Sequence, residues 1–280
     1  MNPFTIDLNT LYTKFSAEGR ELTKVIRNFH SFVKSIVNQR IVEYENNKQN
    51  YGLDRFIFLD KLIDEYYNNN LPRSGIMEEC LTFVWAGEET TSAAIYNTLF
   101  LLAAYPETQQ KIFEELMDNR ITEEVCFEDI NKLSYLDAVM RESLRYYPSV
   151  GQFARRLTDN LEINDDVTLP SGMMVLIQVT DIHRNRDYWG QDADEYKPER
   201  FLSKENHAYS WIPFSAGRRN CIGQKLAVLE IKMAMIKMVQ TFQMSIEDNV
   251  RELEFERNIT LDVLKRPNFV LKRRNSQKYI

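Results

Sequence analysis

Residues 214–223 read F-S-A-G-R-R-N-C-I-G, and no other ten residues constrain this chain as much. Cys221 stands between two glycines, two places after Arg219 and just before the run Ile222–Val239, whose apolar spacing predicts a helix. A cysteine at a helix N-terminus meets unpaired backbone N–H groups and the positive end of the dipole, both of which favour a thiolate. Gly217 and Gly223 leave no Cβ where backbone would approach a large flat ligand. Arg219 adds positive charge of the kind that grips a carboxylate. An isolated cysteine at a helix start is more commonly a buried free thiol. The five positions Phe214, Gly217, Arg219, Cys221 and Gly223, taken together, set this one apart.

Composition narrows the function classes. A chain of 280 residues can form one large domain or two small ones. The formal charge of −6 argues against nucleic acid as a partner. Three cysteines (Cys80, Cys126, Cys221), without a C-x-x-C spacing, suggest no disulfide framework. Walker A, G-x-G-x-x-G and G-x-S-x-G patterns are missing. The longest apolar stretch, Ala93–Tyr105, falls short of the ~20 residues of a spanning helix. The N-terminus M-N-P-F-T-I-D-L is too polar for a secretory signal.

The first half reads helical. Leu22, Val25, Ile26, Phe29, Phe32, Val33, Ile36 and Val37 recur at helical spacing, predicting a helix from Ser16 to about Tyr44. A loop is expected at Asn46–Asn50, then helices at Arg55–Tyr67, from Pro72 to about Ala104, at Pro106–Asn119 and at Ser134–Tyr146. Leu161–Ile163, Val167–Leu169 and Met173–Val179 read as strands, with Pro170-Ser171-Gly172 as a turn. Residues 183–213 read as a long ordered loop, and Arg251–Leu271 as two or three short strands.

Three further segments carry chemistry. Ala86-Gly87-Glu88-Glu89-Thr90-Thr91 sets a glycine and two β-branched residues inside the long helix, against local propensity. Ala86, Gly87 and Thr90 share a face, and a threonine hydroxyl there can turn to the carbonyl four residues back. Close helix packing around the glycine and a small-residue groove kept for chemistry both fit. Glu142 and Arg145 lie one helical turn apart, a pairing worth only about a few tenths of a kcal/mol by itself. Pro198-Glu199-Arg200-Phe201 supplies a further arginine downstream.

Together these segments resemble the cytochrome P-450 family. Residues 214–223 are similar to its haem-binding loop F-x-x-G-x-R-x-C-x-G, and residues 86–91 to its oxygen-activation segment A-G-x-D/E-T-T. Glu142-Ser143-Leu144-Arg145 resembles its E-x-x-R helix, and residues 198–201 its P-E-R-F motif. Arg155-Arg156-Leu157-Thr158 resembles the stretch whose arginine meets a haem propionate. The resemblance implies a mainly α fold with a small β component, the C-terminal part of the cytochrome P-450 fold. Residues 1–280 would form a partial catalytic domain, without the N-terminal anchor and the N-terminal part of that domain.

The resemblance also implies a set of roles. Cys221 becomes the thiolate ligand of the iron of haem b, with Arg219, Phe214, Gly217, Gly223 and Ala86 around the cofactor. Arg155 serves a propionate, with Arg156 as the alternative. Glu89 and Thr90 form a proton relay, and Glu142, Arg145 and Arg200 a buried structural network. The texture around Cys221 looks like the animal branch that includes fatty-acid ω-hydroxylases and many insect enzymes. There a glutamate that can esterify the haem often stands where this chain has Ala86, so a non-covalent haem is expected. His183-Arg184 matches a family position near the propionates, although a lone histidine also serves as a packing residue. Phe83 and Trp85 are candidates for a substrate cavity or for core filling.

The implied activity is a haem-thiolate monooxygenase, inserting one oxygen atom of O2 into a lipophilic substrate. Its electrons come from NADPH through a reductase, for which Arg218, Lys225 and Lys232 are candidate docking residues. The family's usual place is the endoplasmic reticulum membrane. The competing expectation is a non-catalytic truncated fragment that holds haem weakly or not at all.

Overall fold

The structure is a computed structural model that describes residues 8–46, 57–121, 124–203, 207–247, 255–257, 261–263 and 268–274. It divides into two units, Met1–Ala86 and Gly87–Ile280. The first holds α1 (Leu8–Phe15), α2 (Ala17–Asn46), α3 (Phe58–Tyr67) and the start of α4 (Arg73–Ala104). Val33, Val37, Ile41 and Tyr44 lie three or four residues apart on α2, so they form one stripe. That stripe is buried with Ile63 of α3 and Ile76 and Cys80 of α4. Arg40 ties α2 to α3, donating from Nε and Nη2 to the two carboxylate oxygens of Asp60 at 2.8 and 3.0 Å. The apolar pattern of α2 is wider than this seam: Leu22, Val25, Ile26, Phe32 and Ile36 stay exposed. The loop expected at Asn46–Asn50 lies, from residue 47 on, outside the described residues.

The second unit carries the remainder of α4 and α5 (Pro106–Asp118), α6 (Phe127–Lys132) and α7 (Ser134–Tyr146). Pro106 occupies the first turn of α5, where its missing N–H breaks no hydrogen bond. The short α6 was not expected from the sequence. Then come β1 (Gln152–Arg156), β2 (Leu161–Asn164), β3 (Val167–Leu169) and β4 (Met174–Gln178). β1 pairs antiparallel with β4 from Gln152↔Gln178 to Arg156↔Met174, and β2 pairs with β3. The Pro170–Gly172 turn closes with Gly172 at φ +82°, a conformation that favours glycine.

α8 (Val179–His183) starts at the residue expected to end a strand, and the stretch 183–213, expected to be a long ordered loop, contains α9 (Arg186–Trp189) and a 3-10 turn at Pro198–Phe201. After it come α10 (Gln224–Thr241), β5 (Phe242–Ile246), β6 (Phe255–Arg257), β7 (Leu261–Val263) and β8 (Phe269–Arg273). β5 pairs with β8, and β6 with β7. The main core joins one face of α10 (Ile231, Met235, Ile236, Val239) to α7, α5 and the later part of α4. The chain is thus mainly α, with a small β component. Among the described residues no helix is long and apolar enough to cross a membrane.

Candidate functional site

Cys221 lies ahead of α10 rather than inside its first turn, because Gly223 is the residue that caps the helix. The loop before it is closed by backbone. The Cys221 amide donates to the Phe214 carbonyl at 2.9 Å, and the Ser215 amide to the Ile212 carbonyl at 3.0 Å. A 3-10 turn, Gly217–Arg219, fills the space between, with the Asn220 amide on the Gly217 carbonyl at 3.1 Å. Two left-handed residues make the loop possible, Gly217 at φ +76° and Ser215 at φ +62°. Glycine adopts that conformation freely; serine does so at a cost of about 1 kcal/mol. The result is an exposed Cys221 side chain held on a closed loop.

Beside this loop is a cavity of about 260 Å³. Its walls bring together Thr90 of α4, Arg155 of β1, and Phe214, Arg219 and Cys221 of the loop. Thr91, the last residue of the 86–91 segment, also lines it, as do Ser149, Val150 and Phe153, which the motifs had not marked. Their only sequence signal was position: Ser149 and Val150 directly follow the Pro148 that ends α7, and Phe153 precedes Arg155 by two.

Strand alternation decides between the paired arginines. In β1, Phe153 and Arg155 share the partly buried face while Arg156 is exposed. Arg155 reaches from the strand to the loop, donating from Nη2 to Ser215 Oγ at 2.9 Å, with its guanidinium 4.7 Å from the Phe153 ring centre. Arg156 instead donates to the Gly172 carbonyl at 3.2 Å.

Other candidate residues lie off the cavity wall. Ala86 is exposed, and Glu89 is half-buried. At Gly217 an added Cβ would meet nothing within 4 Å, so its requirement is the positive φ; at Gly223 it would lie 4.0 Å from the Cys221 sulfur. Phe83 pairs with Phe58 at 4.2 Å between ring centres in the first unit, and Trp85 is exposed. Lys232, named above as a docking candidate, is buried instead and donates to Asp137 Oδ1 at 2.6 Å. Arg218 and Lys225 are exposed.

Glu142, Arg145 and Arg200 meet in the interior. Arg145 Nε and Nη2 donate to the two Glu142 oxygens at 2.7 and 2.8 Å. Its other three N–H groups go to the carbonyls of His183, Ala193 and Glu195 at 2.8, 2.7 and 2.8 Å. All five guanidinium donors are therefore satisfied. Glu142 Oε1 also accepts from the Lys197 amide at 2.7 Å and Arg200 Nε at 3.2 Å. Arg200 extends the network to the Asp192 carbonyl at 2.9 Å. These bonds pin residues 183–200 to α7.

His183 is fully buried and does not line the cavity. Its Nε2 accepts the Ile212 amide proton at 2.9 Å. Burial pushes its pKa down to about 3, and the Arg145 guanidinium acts in the same direction. Backbone carbonyls of Arg145 and Leu144 offset part of this. The ring is neutral at ordinary pH.

The residues at the cavity suit a haem. A flat, largely apolar macrocycle needs apolar walls, here Phe214, Leu144, Ala94 and Ile231, and its carboxylates need cations, here Arg155 and Arg219. A soft axial donor is present in Cys221, on the same wall.

The family model described as Cytochrome P450 matches residues 2–273. Among curated proteins, the chain is 31% identical over 278 residues to "Probable cytochrome P450 313a3" of Drosophila melanogaster, covering 97% of this chain and 56% of that protein. It is 36% identical over 267 residues to "Cytochrome P450 4V2" of Rattus norvegicus, covering 90% of this chain and 50% of that one. "Probable cytochrome P450 4p3" of Drosophila melanogaster is 38% identical over 213 residues. The chain spans about half the length of the curated relatives it matches. With a cysteine loop at a cavity edged by threonine and arginine, and a family match across nearly its whole length, the chain belongs to the cytochrome P450 family.

Proposed function

We propose that the protein is a haem-thiolate monooxygenase acting on a lipophilic substrate, its chain corresponding to the C-terminal part of the family's catalytic domain. The observation that carries this reading is that Cys221 and Thr90, from two separate motifs, line one cavity with Arg155 and Arg219. When bound, haem b supplies the activation of O2 and the insertion of one oxygen atom into the substrate, the other leaving as water with two electrons and two protons.

The side chains have distinct tasks in this reading. Cys221 holds the iron as a thiolate, on a loop whose shape is set by the Phe214 carbonyl and Gly217. Arg155 and Arg219 would bind the propionates, Arg155 from a strand it already ties to the cysteine loop through Ser215. Thr90 holds a hydroxyl at the cavity wall, and Glu89, one residue earlier and half-buried, restocks its proton. Phe214, Val150 and Phe153 keep water from the reacting face. Glu142, Arg145 and Arg200 hold the loop segment in place without touching the cofactor. Ala86 offers no carboxylate to esterify, so the haem is held non-covalently.

NADPH-derived electrons arrive from a reductase, and exposed Arg218 and Lys225 are the docking cations. The endoplasmic reticulum membrane is the site expected from the family. The test is the spectrum of the reduced, CO-bound protein. A Soret band at the haem-thiolate position, lost in Cys221→Ser, is expected. Failure to take up haem, or a band that survives Cys221→Ser, would overturn the reading.

A further inference from the structure

The backbone that carries Cys221 needs an anchor at its start, since Ser215 and Gly217 both sit in left-handed conformations and few loop amides bond within the loop. Ile212 is that start: it is buried, and its carbonyl accepts the Ser215 amide. Its own N–H points away from the loop, into the interior, where an unpaired amide would cost about 1–3 kcal/mol. The partner is the ring of His183, Nε2 to N at 2.9 Å.

His183 faces two ways. Its carbonyl accepts Arg145 Nη1 at 2.8 Å and so belongs to the buried network on α7. Its ring reaches the cysteine loop. Trp211 makes a second tie to α7, bonding the Arg141 carbonyl at 3.0 Å and packing its ring on Phe214 at 6.2 Å, while Arg155 bonds Ser215 from β1. The His183 ring is the side chain that satisfies the Ile212 amide.

We propose that His183 is a positioning residue for Cys221, locked as the Nδ1–H tautomer so that Nε2 accepts the Ile212 amide and couples the Glu142–Arg145–Arg200 network to the cysteine loop. The tautomer follows from the bond. An imidazole that accepts at Nε2 while neutral carries its proton on Nδ1. Complete burial against the Arg145 guanidinium keeps the ring from taking a second proton, which would turn the acceptor into a donor facing another donor. Nδ1 itself has no partner at hydrogen-bond geometry among the described residues.

The inference rests on the haem-thiolate reading only for what the loop is for. Its test needs no haem, so the two fail separately. His183→Leu removes the acceptor and keeps an apolar side chain; His183→Gln keeps an acceptor near the position of Nε2. Backbone amide hydrogen exchange at Ile212 and Cys221 should quicken about tenfold in His183→Leu, while amides in the middle of α10 stay near their original rates. His183→Gln should return both amides most of the way. Unchanged exchange at Ile212 in His183→Leu would overturn the proposal, as would equal acceleration throughout α10 or a Gln variant behaving like Leu. Should His183→Leu not fold, the ring nitrogens of the unaltered protein decide: an unprotonated Nε2 in the 15N spectrum at pH 6 supports the assignment, and a protonated Nε2 refutes it.

Discussion

Arg145 grips Glu142 through two parallel hydrogen bonds, at 2.7 and 2.8 Å, and neither side chain has any exposed surface. One turn of a helix would ordinarily make this a weak pair. Burial changes its standing, because each charge is now the other's replacement for water. The remaining three donors of Arg145 hold carbonyls at His183, Ala193 and Glu195, so the pair also fixes the path of a segment with little regular structure.

Removing one member should therefore cost far more than an i, i+3 pair is worth. Glu142→Ala is expected to lower unfolding free energy by about 3–5 kcal/mol, since it leaves the buried Arg145 charge without its carboxylate and Arg200 with only Asp192, at 3.4 Å. Arg145→Lys should not rescue, because three donors on a flexible stem cannot reproduce a planar fork that makes five bonds. Urea unfolding followed by circular dichroism measures both. A loss under about 1 kcal/mol in either variant would mean the network is dispensable.

Ser215 presents two opposed terms that substitution can separate. It adopts φ +62°, and its hydroxyl accepts from Arg155. Ser215→Ala keeps the backbone conformation and loses the bond, so a destabilisation of about 1 kcal/mol is expected. Ser215→Gly loses the same bond but relieves the left-handed conformation, worth about 1 kcal/mol, and should come out close to neutral. Thermal unfolding of the two variants side by side reads the difference. Equal melting temperatures would contradict the strain assigned to Ser215.

His183 makes stability depend on acid. Its folded pKa is lowered to about 3 from an ordinary 6.5, so below pH 6.5 the unfolded chain binds a proton that the folded one refuses. Stability from this group is complete above pH 6.5 and falls as pH drops toward 3, by at most about 5 kcal/mol. His183→Gln does not titrate and should flatten the pH dependence of urea unfolding across that window. Parallel curves for the two proteins would remove His183 as the cause.

Lys232 and Lys225 lie seven residues apart on α10 and should respond differently to charge reversal. Lys225 is exposed, so Lys225→Glu should leave stability nearly unchanged and slow reductase association about three- to tenfold, with weaker salt dependence. Lys232 is buried against Asp137, so Lys232→Glu should destabilise the fold by about 2 kcal/mol or more by setting a second carboxylate beside the first. Calorimetry and stopped-flow reduction separate the two effects. A stable Lys232→Glu variant with slowed reduction would return Lys232 to the docking surface.

Local chemistry was the legible part of this molecule. Helix ends at Pro106 and Tyr146, the glycine turn at Gly172 and the cysteine loop with its required glycine all follow from conformational preferences of single residues. The short α6 and β1 did not stand out, because neither is long enough for a hydrophobic period to repeat. The pieces inside 183–213 are held by carbonyl bonds to Arg145 and Arg200 rather than by a pattern of their own.

The sequence by itself determined the family, the mainly α architecture, and the residue types around Cys221, since each depends on short motifs and local periodicity. Tertiary structure alone decided which members of those motifs face what. The pairing of β1 with β4 turned Arg155 toward the cavity and Arg156 to solvent. Packing of α10 on α7 buried Lys232, and only part of the α2 stripe found a partner. The junction of α8 with the cysteine loop gave His183 a backbone amide to hold. Each outcome rests on a contact between residues far apart in the chain, where burial and a specific hydrogen-bond partner outweigh any preference the residue carries alone.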